Sequence, residues 1–140
     1  MKPKRTILCV DNNEQQLSIR KVMLETRGYR VVACTAAADA LEIFKNGGID
    51  LVLADLNLPG VDGGQLIQTI KNHSPHTPAI LLSNKAKTYD HETRADVFLP
   101  KGMSAPAELL ERVRMLLVRK RGPKRPLQQA PQPPSQTSAA

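Results

Sequence analysis

The stretch LVLADLNLPGVDGGQLI, residues 51–67, passes from an apolar run through a polar loop into a second apolar pattern. Its first four residues are apolar at successive positions, as a strand buried on both faces requires. Pro59 and Gly63 favour a tight loop after Asp55. The apolar residues that follow share one helical face and are Leu66, Ile67 and Ile70. This stretch predicts a strand, a loop that begins with an acid, and a helix.

The rest of the chain repeats this unit. Four more apolar runs have strand character, and they are TILCV (6–10), RVVAC (30–34), AILLS (79–83) and DVFL (96–99). Alternation of buried strands with helices predicts an α/β fold, a doubly wound five-stranded parallel sheet with helices on both faces. In that architecture ligands bind beyond the carboxyl ends of the strands.

Three further helices are predicted from apolar residues at helical spacing. Their stripes are Ile19, Val22, Met23 and Thr26; Ala37, Ala40, Leu41 and Phe44; and Leu109, Leu110, Val113, Leu116 and Leu117. Ser104 is the predicted N-cap of the last helix, and Pro106 is compatible with its first turn.

Composition limits the class of protein. A chain of 140 residues with 41% apolar content suits one globular domain. No apolar run approaches the ~20 residues that span a bilayer, and the run after MKPKRT is too short for a signal peptide, so we expect a cytoplasmic protein without a membrane partner. Cys9 and Cys34 lie in apolar runs and are predicted to be buried thiols.

The net charge of +7 is concentrated near the carboxyl terminus. Five basic residues fall within 119–125, and the remaining 15 basic and 13 acidic residues nearly balance. We therefore predict a folded domain over 1–118 and a basic, Pro/Gln-rich disordered tail over 119–140. Non-specific attraction to nucleic acid is conceivable only through this tail, which has no aromatic residue to stack on bases.

Polar residues follow four of the predicted strands and converge on one edge of the sheet. They are Asp11 and Asn12, Asp55 and Asn57, Ser83 and Asn84, and Lys101. Singly, such residues are usually helix caps, turn residues or solvated lysines. Together, two acids, a hydroxyl and a lysine supply what a carboxylate nucleophile needs to accept a phosphoryl group beside a divalent cation. No glycine-rich nucleotide-binding motif is present.

Over residues 5–118 the chain resembles the receiver domain of bacterial two-component response regulators. The resemblance rests on the D-x-N-x-P-x-x-D-G pattern from Asp55 to Gly63, the early acid Asp11, the hydroxyl of Ser83 and the lysine at 101. It implies the flavodoxin-like strand order 2-1-3-4-5. It also implies a phosphoacceptor signalling protein, not an enzyme.

The resemblance assigns Asp55 as the phosphoacceptor, which takes the phosphoryl group from a histidine kinase or a phosphotransfer protein. It assigns Mg²⁺ to Asp11, Asp55 and the backbone carbonyl of Asn57. Asn12 stands where the family usually has a second acidic ligand. Its side-chain carbonyl can still bind Mg²⁺ but brings no charge, so we expect weaker metal binding. The prediction is that Asn12→Asp raises the Mg²⁺ affinity.

Three more roles follow from the resemblance. Ser83 corresponds to the residue that hydrogen-bonds the attached phosphoryl group, and Lys101 to the lysine that pairs with it. Phe98 corresponds to an aromatic switch residue, although a buried strand aromatic explains it equally well. Asp62 is interpreted as a turn or helix-cap residue.

Two further departures from the family pattern concern the region before the last helix. The interval from Ser83 to Lys101 is short, and NKAKTYDHETRA (84–95) has almost no apolar stripe, which predicts a short, displaced or partly unwound helix there. Pro100 precedes Lys101, whereas the family commonly places proline after the lysine.

These features support a single-domain response regulator that acts on an unknown downstream protein. The alternative is a pseudo-receiver, a protein-interaction module with weak or no Mg²⁺-dependent phosphorylation.

Overall fold

A computed structural model describes residues 4–83, 94–100 and 106–121. In chain order the elements are β1 (Thr6–Val10), α1 (Glu14–Glu25), β2 (Arg30–Cys34), α2 (Ala37–Lys45), β3 (Leu51–Asp55), α3 (Gly63–His73), β4 (Ala79–Ser83), β5 (Val97–Pro100) and α4 (Pro106–Arg121). The strands form one parallel sheet in the order β2-β1-β3-β4-β5. This confirms the predicted fold class and strand order.

The sheet is covered on both faces, which explains the continuous apolar runs. Side chains of alternate strand positions pack with α1 and α4 on one face and with α2 and α3 on the other. β3 and β4 are buried along their whole length. No described helix is long and apolar enough to cross a membrane.

The predicted apolar stripe of α1 is wrong at Ile19, Val22 and Thr26, whereas Met23 is half-buried and packs against the core. Ile19 and Val22 are 57% and 60% exposed. The buried face instead consists of Leu17, Arg20 and Leu24. One of its three positions therefore holds a charged residue, and a search for apolar spacing selects the wrong face of the helix.

Side-chain hydrogen bonds define the start and the end of α1. Asn13 is the N-cap, and its side chain accepts a hydrogen bond from the backbone N–H of Gln16 at 3.0 Å. Thr26, assigned to the apolar stripe from the sequence, lies just beyond the helix, and its hydroxyl donates to the carbonyl of Met23. It contributes to the end of the helix and not to the core.

The remaining predictions of local structure mostly hold. β5 covers Val97–Pro100, one residue later than predicted, and Pro106 begins α4 as predicted. Cys9 is buried and Cys34 is half-buried, both as free thiols. The predicted cap Ser104, the tail beyond 121 and most of the helix predicted in 84–95 lie outside the described residues.

Candidate functional site

The register of the two central strands brings the two predicted site acids together. Val10 of β1 pairs with Ala54 of β3, so Asp11 and Asp55, each one residue further along, lie side by side. Neighbouring strands are about 4.8 Å apart. Both carboxylates are buried, Asp11 completely and Asp55 to 98%. Two enclosed carboxylates on adjacent strands form the centre of the candidate site.

Asp11 is held by its own loop and by α1. Its Oδ1 accepts the backbone N–H of Asn13 at 2.9 Å. Its Oδ2 accepts from Nη1 of Arg20 at 2.9 Å, and both side chains of this ion pair are buried. A charged side chain is seldom fully buried unless it is paired. The ion pair therefore accounts for the presence of Arg20 in the core.

Arg20 is the site residue that sequence reasoning missed. A signal for it existed, because an arginine with Leu17 three residues before it and Leu24 four residues after it lies on a face that those leucines would bury. The signal was masked by Ile19 and Val22, which suggested a different face.

A buried thiol lies next to this ion pair. Burial raises the pKa of Cys9 to about 12, and the positive charge of Arg20 opposes this rise only in part. Burial also raises the pKa of Cys34 to about 11, with Asp39 contributing in the same direction. Both thiols therefore stay protonated near neutral pH, and neither acts as a thiolate at this edge.

Asp55 ends β3, and the loop after it is tightly built. Its Oδ1 accepts the backbone N–H of Asn57 at 3.3 Å. The carbonyl of Leu56 accepts the backbone N–H of Gly63 at 2.8 Å, which draws the start of α3 against the end of the strand. A Cβ at Gly63 would overlap the carbonyl oxygen of Asp55. Glycine is required here for close backbone approach.

Asp62 is a helix cap, as predicted. Its carboxylate accepts the backbone N–H of Gln65 at 2.8 Å, and the Gln65 side chain accepts the backbone N–H of Asp62 at 3.3 Å. This capping box fixes the first turn of α3. Asp62 is exposed, in contrast to the two buried acids.

The hydroxyl residue lies at the same edge of the sheet. Ser83 ends β4, is fully buried and pairs with Pro100 of β5. β4 is the neighbour of β3, with Leu82 in register with Asp55. Lys101 and Asn84 lie outside the described residues.

The other predicted site residues differ in their exposure. Asn12 and Asn57 are both exposed beside the buried acids. Phe98 is half-buried in β5 and packs with the residues under α2 and α3. A strand aromatic in a partly buried position is consistent with either interpretation of Phe98.

The donor set fits a hard divalent cation in kind but offers it little charge. Asp11 and Asp55 supply carboxylate oxygens, and Asn57 supplies a backbone carbonyl. No cluster of three or more His, Cys, Asp or Glu is present within the described ranges. The guanidinium of Arg20 is already bonded to one of the two carboxylates.

Comparisons with known proteins agree with this architecture. Residues 7–114 match the sequence model of the response regulator receiver domain. The chain is 31% identical over 119 residues to response regulator SaeR of Staphylococcus aureus strain USA300, covering 81% of this chain and 50% of that protein. The chain thus spans about half the length of the curated relatives it matches.

Solved structures share the fold. A CheY-like response regulator receiver domain protein from Methanospirillum hungatei JF-1 has a TM-score of 0.76 and 26% identity over 84% of this chain and 97% of that one. Response regulator TrrA from Thermotoga maritima was solved in complex with Mg²⁺-BeF. It has a TM-score of 0.75 and 28% identity, and the match covers 80% of this chain and 98% of that one.

Proposed function

This chain belongs to the response regulator receiver domain family, and from that premise we propose that it accepts a phosphoryl group from a histidine kinase on Asp55 and signals through protein contacts. The observation that carries the proposal is the burial of Asp55 beside Asp11 at the carboxyl edge of the sheet. Two adjacent buried carboxylates cost stability, and such a cost is typical of functional sites.

The proposed reaction is a transfer between two proteins. A carboxylate oxygen of Asp55 attacks the phosphorus of the kinase phosphohistidine, and a new P–O bond forms. The P–N bond breaks, and its electron pair returns to the imidazole nitrogen. The product is an acyl phosphate on Asp55, with no change in oxidation state.

Receiver domains typically bind Mg²⁺ at the phosphorylation site, and we assign its ligands in this chain to Asp11, Asp55, the backbone carbonyl of Asn57 and, more weakly, Asn12. The cation supplies charge that offsets repulsion between the carboxylates and the incoming phosphate. Asn12, as a neutral ligand, lowers the negative charge available to the cation. The relative TrrA was solved with Mg²⁺-BeF, which supports a cation site in this chain but not the choice of individual ligands.

The remaining assignments concern the phosphorylated state. Ser83 donates a hydrogen bond to a phosphoryl oxygen, and its burial at the end of β4 supports this role. Lys101 neutralises part of the phosphoryl charge. Phe98 is assigned as the residue that changes its packing on phosphorylation, and its half-buried position in β5 is compatible with that role.

Two observations favour a second candidate function, a receiver fold kept for protein binding with weak or no Mg²⁺-dependent phosphorylation. Asn12 is neutral, and Arg20 is bonded to Asp11. Both features reduce the attraction of the site for a cation. The two candidates differ in whether a phosphoryl adduct forms at all.

Intact mass spectrometry of the full chain after incubation with acetyl phosphate separates them. We expect a single phosphoryl adduct on the wild type and none on Asp55→Asn. Asp62→Asn is the matched control, since it makes the same charge change in the same loop and retains a good helix cap. It should keep the adduct. Absence of any adduct on the wild type, with acetyl phosphate or with kinases, would favour the second candidate.

A further inference from the structure

We infer that Arg20 is a built-in counter-ion for Asp11 that competes with divalent cations, so that the metal affinity of this edge is set by release of the guanidinium. The inference rests on the proposed function only in taking the Asp11–Asp55 edge as a cation site. The counter-ion belongs to α1, where Arg20 lies on a buried face whose other residues are leucines.

The geometry places the guanidinium where a cation would act. Nη1 of Arg20 lies 2.9 Å from Oδ2 of Asp11, which is the separation of a charge-assisted hydrogen bond. The side chain of Asp11 is fully enclosed, and 8% of the Arg20 side chain is exposed. Within such an enclosure a positive charge acts on its neighbours with little screening by solvent.

A divalent cation at Asp11 must contend with this bond in two ways. Coordination by a carboxylate oxygen takes up lone pairs that the guanidinium also uses. The charge of Arg20 also repels a second cation brought to the same carboxylate. Among the described residues, Asp11, Asp55 and Arg20 together carry one negative charge, which is little for Mg²⁺.

Asn12 and Arg20 act in the same direction. With an amide at 12, no second acid adjoins Asp11 on the same loop, and the buried guanidinium has this one described carboxylate as its ion-pair partner. In the resting site the protein itself therefore already compensates the charge of Asp11. Metal binding exchanges one counter-ion for another and does not simply fill an acidic pocket.

A purely structural role for the ion pair makes a different prediction. A structural pair stabilises the fold, and its loss lowers stability without a specific gain in metal binding. If Arg20 competes with the cation, its removal makes Mg²⁺ binding tighter. Mg²⁺ should then restore the thermal stability that is lost with the ion pair. The metal affinity is therefore the informative measurement.

The test is isothermal titration of the full chain with Mg²⁺, without a phosphodonor. Arg20→Met should bind Mg²⁺ at least about tenfold more tightly than the wild type, because the substitution removes a positive charge that repels the cation in a buried site with little solvent screening. Lys21→Met is the matched control, since it makes the same charge change one residue along, in an exposed pair with Glu25. Its affinity should match the wild type.

Thermal unfolding of the same proteins provides a second readout. Mg²⁺ should raise the melting temperature of Arg20→Met more than that of the wild type or Lys21→Met. An Arg20→Met affinity within twofold of the wild type, no binding to either protein, or an equal gain in Lys21→Met would overturn the inference.

A measurement on the wild type keeps the inference testable if Arg20→Met does not fold. The NMR signal of the Arg20 side-chain N–H can be followed in ¹⁵N-labelled protein and is identified by its absence from Arg20→Lys. This signal should shift during the Mg²⁺ titration, and at saturation the N–H should lose its protection from hydrogen exchange with solvent. A signal unchanged at saturation would contradict competition.

These measurements also separate the inference from the proposed function. They report cation binding alone, so a chain that behaves as expected here but forms no phosphoryl adduct would retain the inference and lose the function. The reverse result would retain the function and lose the inference.

Discussion

The two edges of the sheet use the same carboxylate chemistry in opposite ways. At the amino edge, Asp50 donates its backbone N–H to the Thr6 carbonyl at 2.8 Å, and its Oδ2 accepts the Thr6 N–H at 2.8 Å. Asp96 forms the same pair of bonds with Ala79, again at 2.8 Å. These acids tie one strand start to its neighbour.

At the carboxyl edge, each of the two acids accepts a backbone hydrogen bond from its own loop. Asp11 accepts an N–H two residues ahead, and Asp55 does the same. Each carboxylate thereby shapes its own loop, at a point where the neighbouring strands are already joined by the sheet ladder.

The ion pairs of the two edges differ in burial. Lys71 lies 2.7 Å from Asp96, whose side chain is 38% exposed, so water shares the solvation of that carboxylate. Arg20 lies 2.9 Å from Asp11, whose side chain is not exposed at all. The amino edge is arranged for stability, whereas the carboxyl edge encloses charge at a cost that stability alone does not explain.

The largest effect on stability should come from breaking the amino edge. Asp96→Ala leaves the buried ammonium of Lys71 without its carboxylate and removes the acceptor of the Ala79 N–H. We expect a loss of about 3 kcal/mol in the free energy of unfolding, measured by urea titration. The phosphoryl adduct should still form on the fraction that remains folded. If folded Asp96→Ala formed no adduct, the amino edge would also be needed for phosphorylation, and the contrast between the two edges would not hold.

A smaller effect should distinguish glycines at the two edges. Gly63→Ala forces a Cβ against the carbonyl of Asp55 and should cost about 2 kcal/mol while slowing phosphorylation. Gly47→Ala, the control, meets no atom but adopts a φ of +91°, and should cost about 1 kcal/mol without slowing phosphorylation. Urea unfolding and adduct time courses measure both. Equal phosphorylation rates for the two variants would show that α3 does not position Asp55.

The smallest effect on the unfolding free energy near neutral pH should come from the buried Cys9, which precedes the carboxyl edge in β1. The pKa of Cys9 rises from 9.0 to about 12 because the thiol is buried. Above pH 9 the unfolded thiol loses its proton while the folded one keeps it, so the stability contribution present below pH 9 is lost as the pH rises towards 12.

We therefore expect Cys9→Ala to flatten the decline in unfolding free energy between pH 8 and pH 10.5. Cys34→Ala should flatten the decline in the same direction, since burial also raises the pKa of Cys34, to about 11. Urea titrations across that range measure both slopes. Parallel declines in the wild type and Cys9→Ala would show that the buried thiol does not titrate as described.

The sequence predicts the strands and the site edge well for a physical reason. Strands buried on both faces must be apolar throughout, and parallel connections bring their carboxyl ends together, so Asp11, Asp55 and Ser83 could be placed at one edge without coordinates. Asp62 was predictable as a cap because its position before an apolar helical face is typical of one.

The setting of α1 was not predictable in the same way. Its buried face includes Arg20, which pairs with an acid that lies outside the helix. Leu17 and Leu24 indicate the face of Arg20, but the exposed Ile19 and Val22 imitate a competing core stripe. Apolar periodicity alone does not decide between the two faces when one of them carries a charged residue.

Chemical trapping of the phosphoryl group tests the contrast between the edges most directly. Borohydride reduces an acyl phosphate on aspartate to homoserine, and peptide mass mapping then locates the modified position. The wild type, treated with acetyl phosphate and then borohydride, should carry homoserine at position 55 and nowhere else. Modification at position 50 or 96, or at position 11 in place of 55, would contradict the assignment of the reactive carboxylate to Asp55.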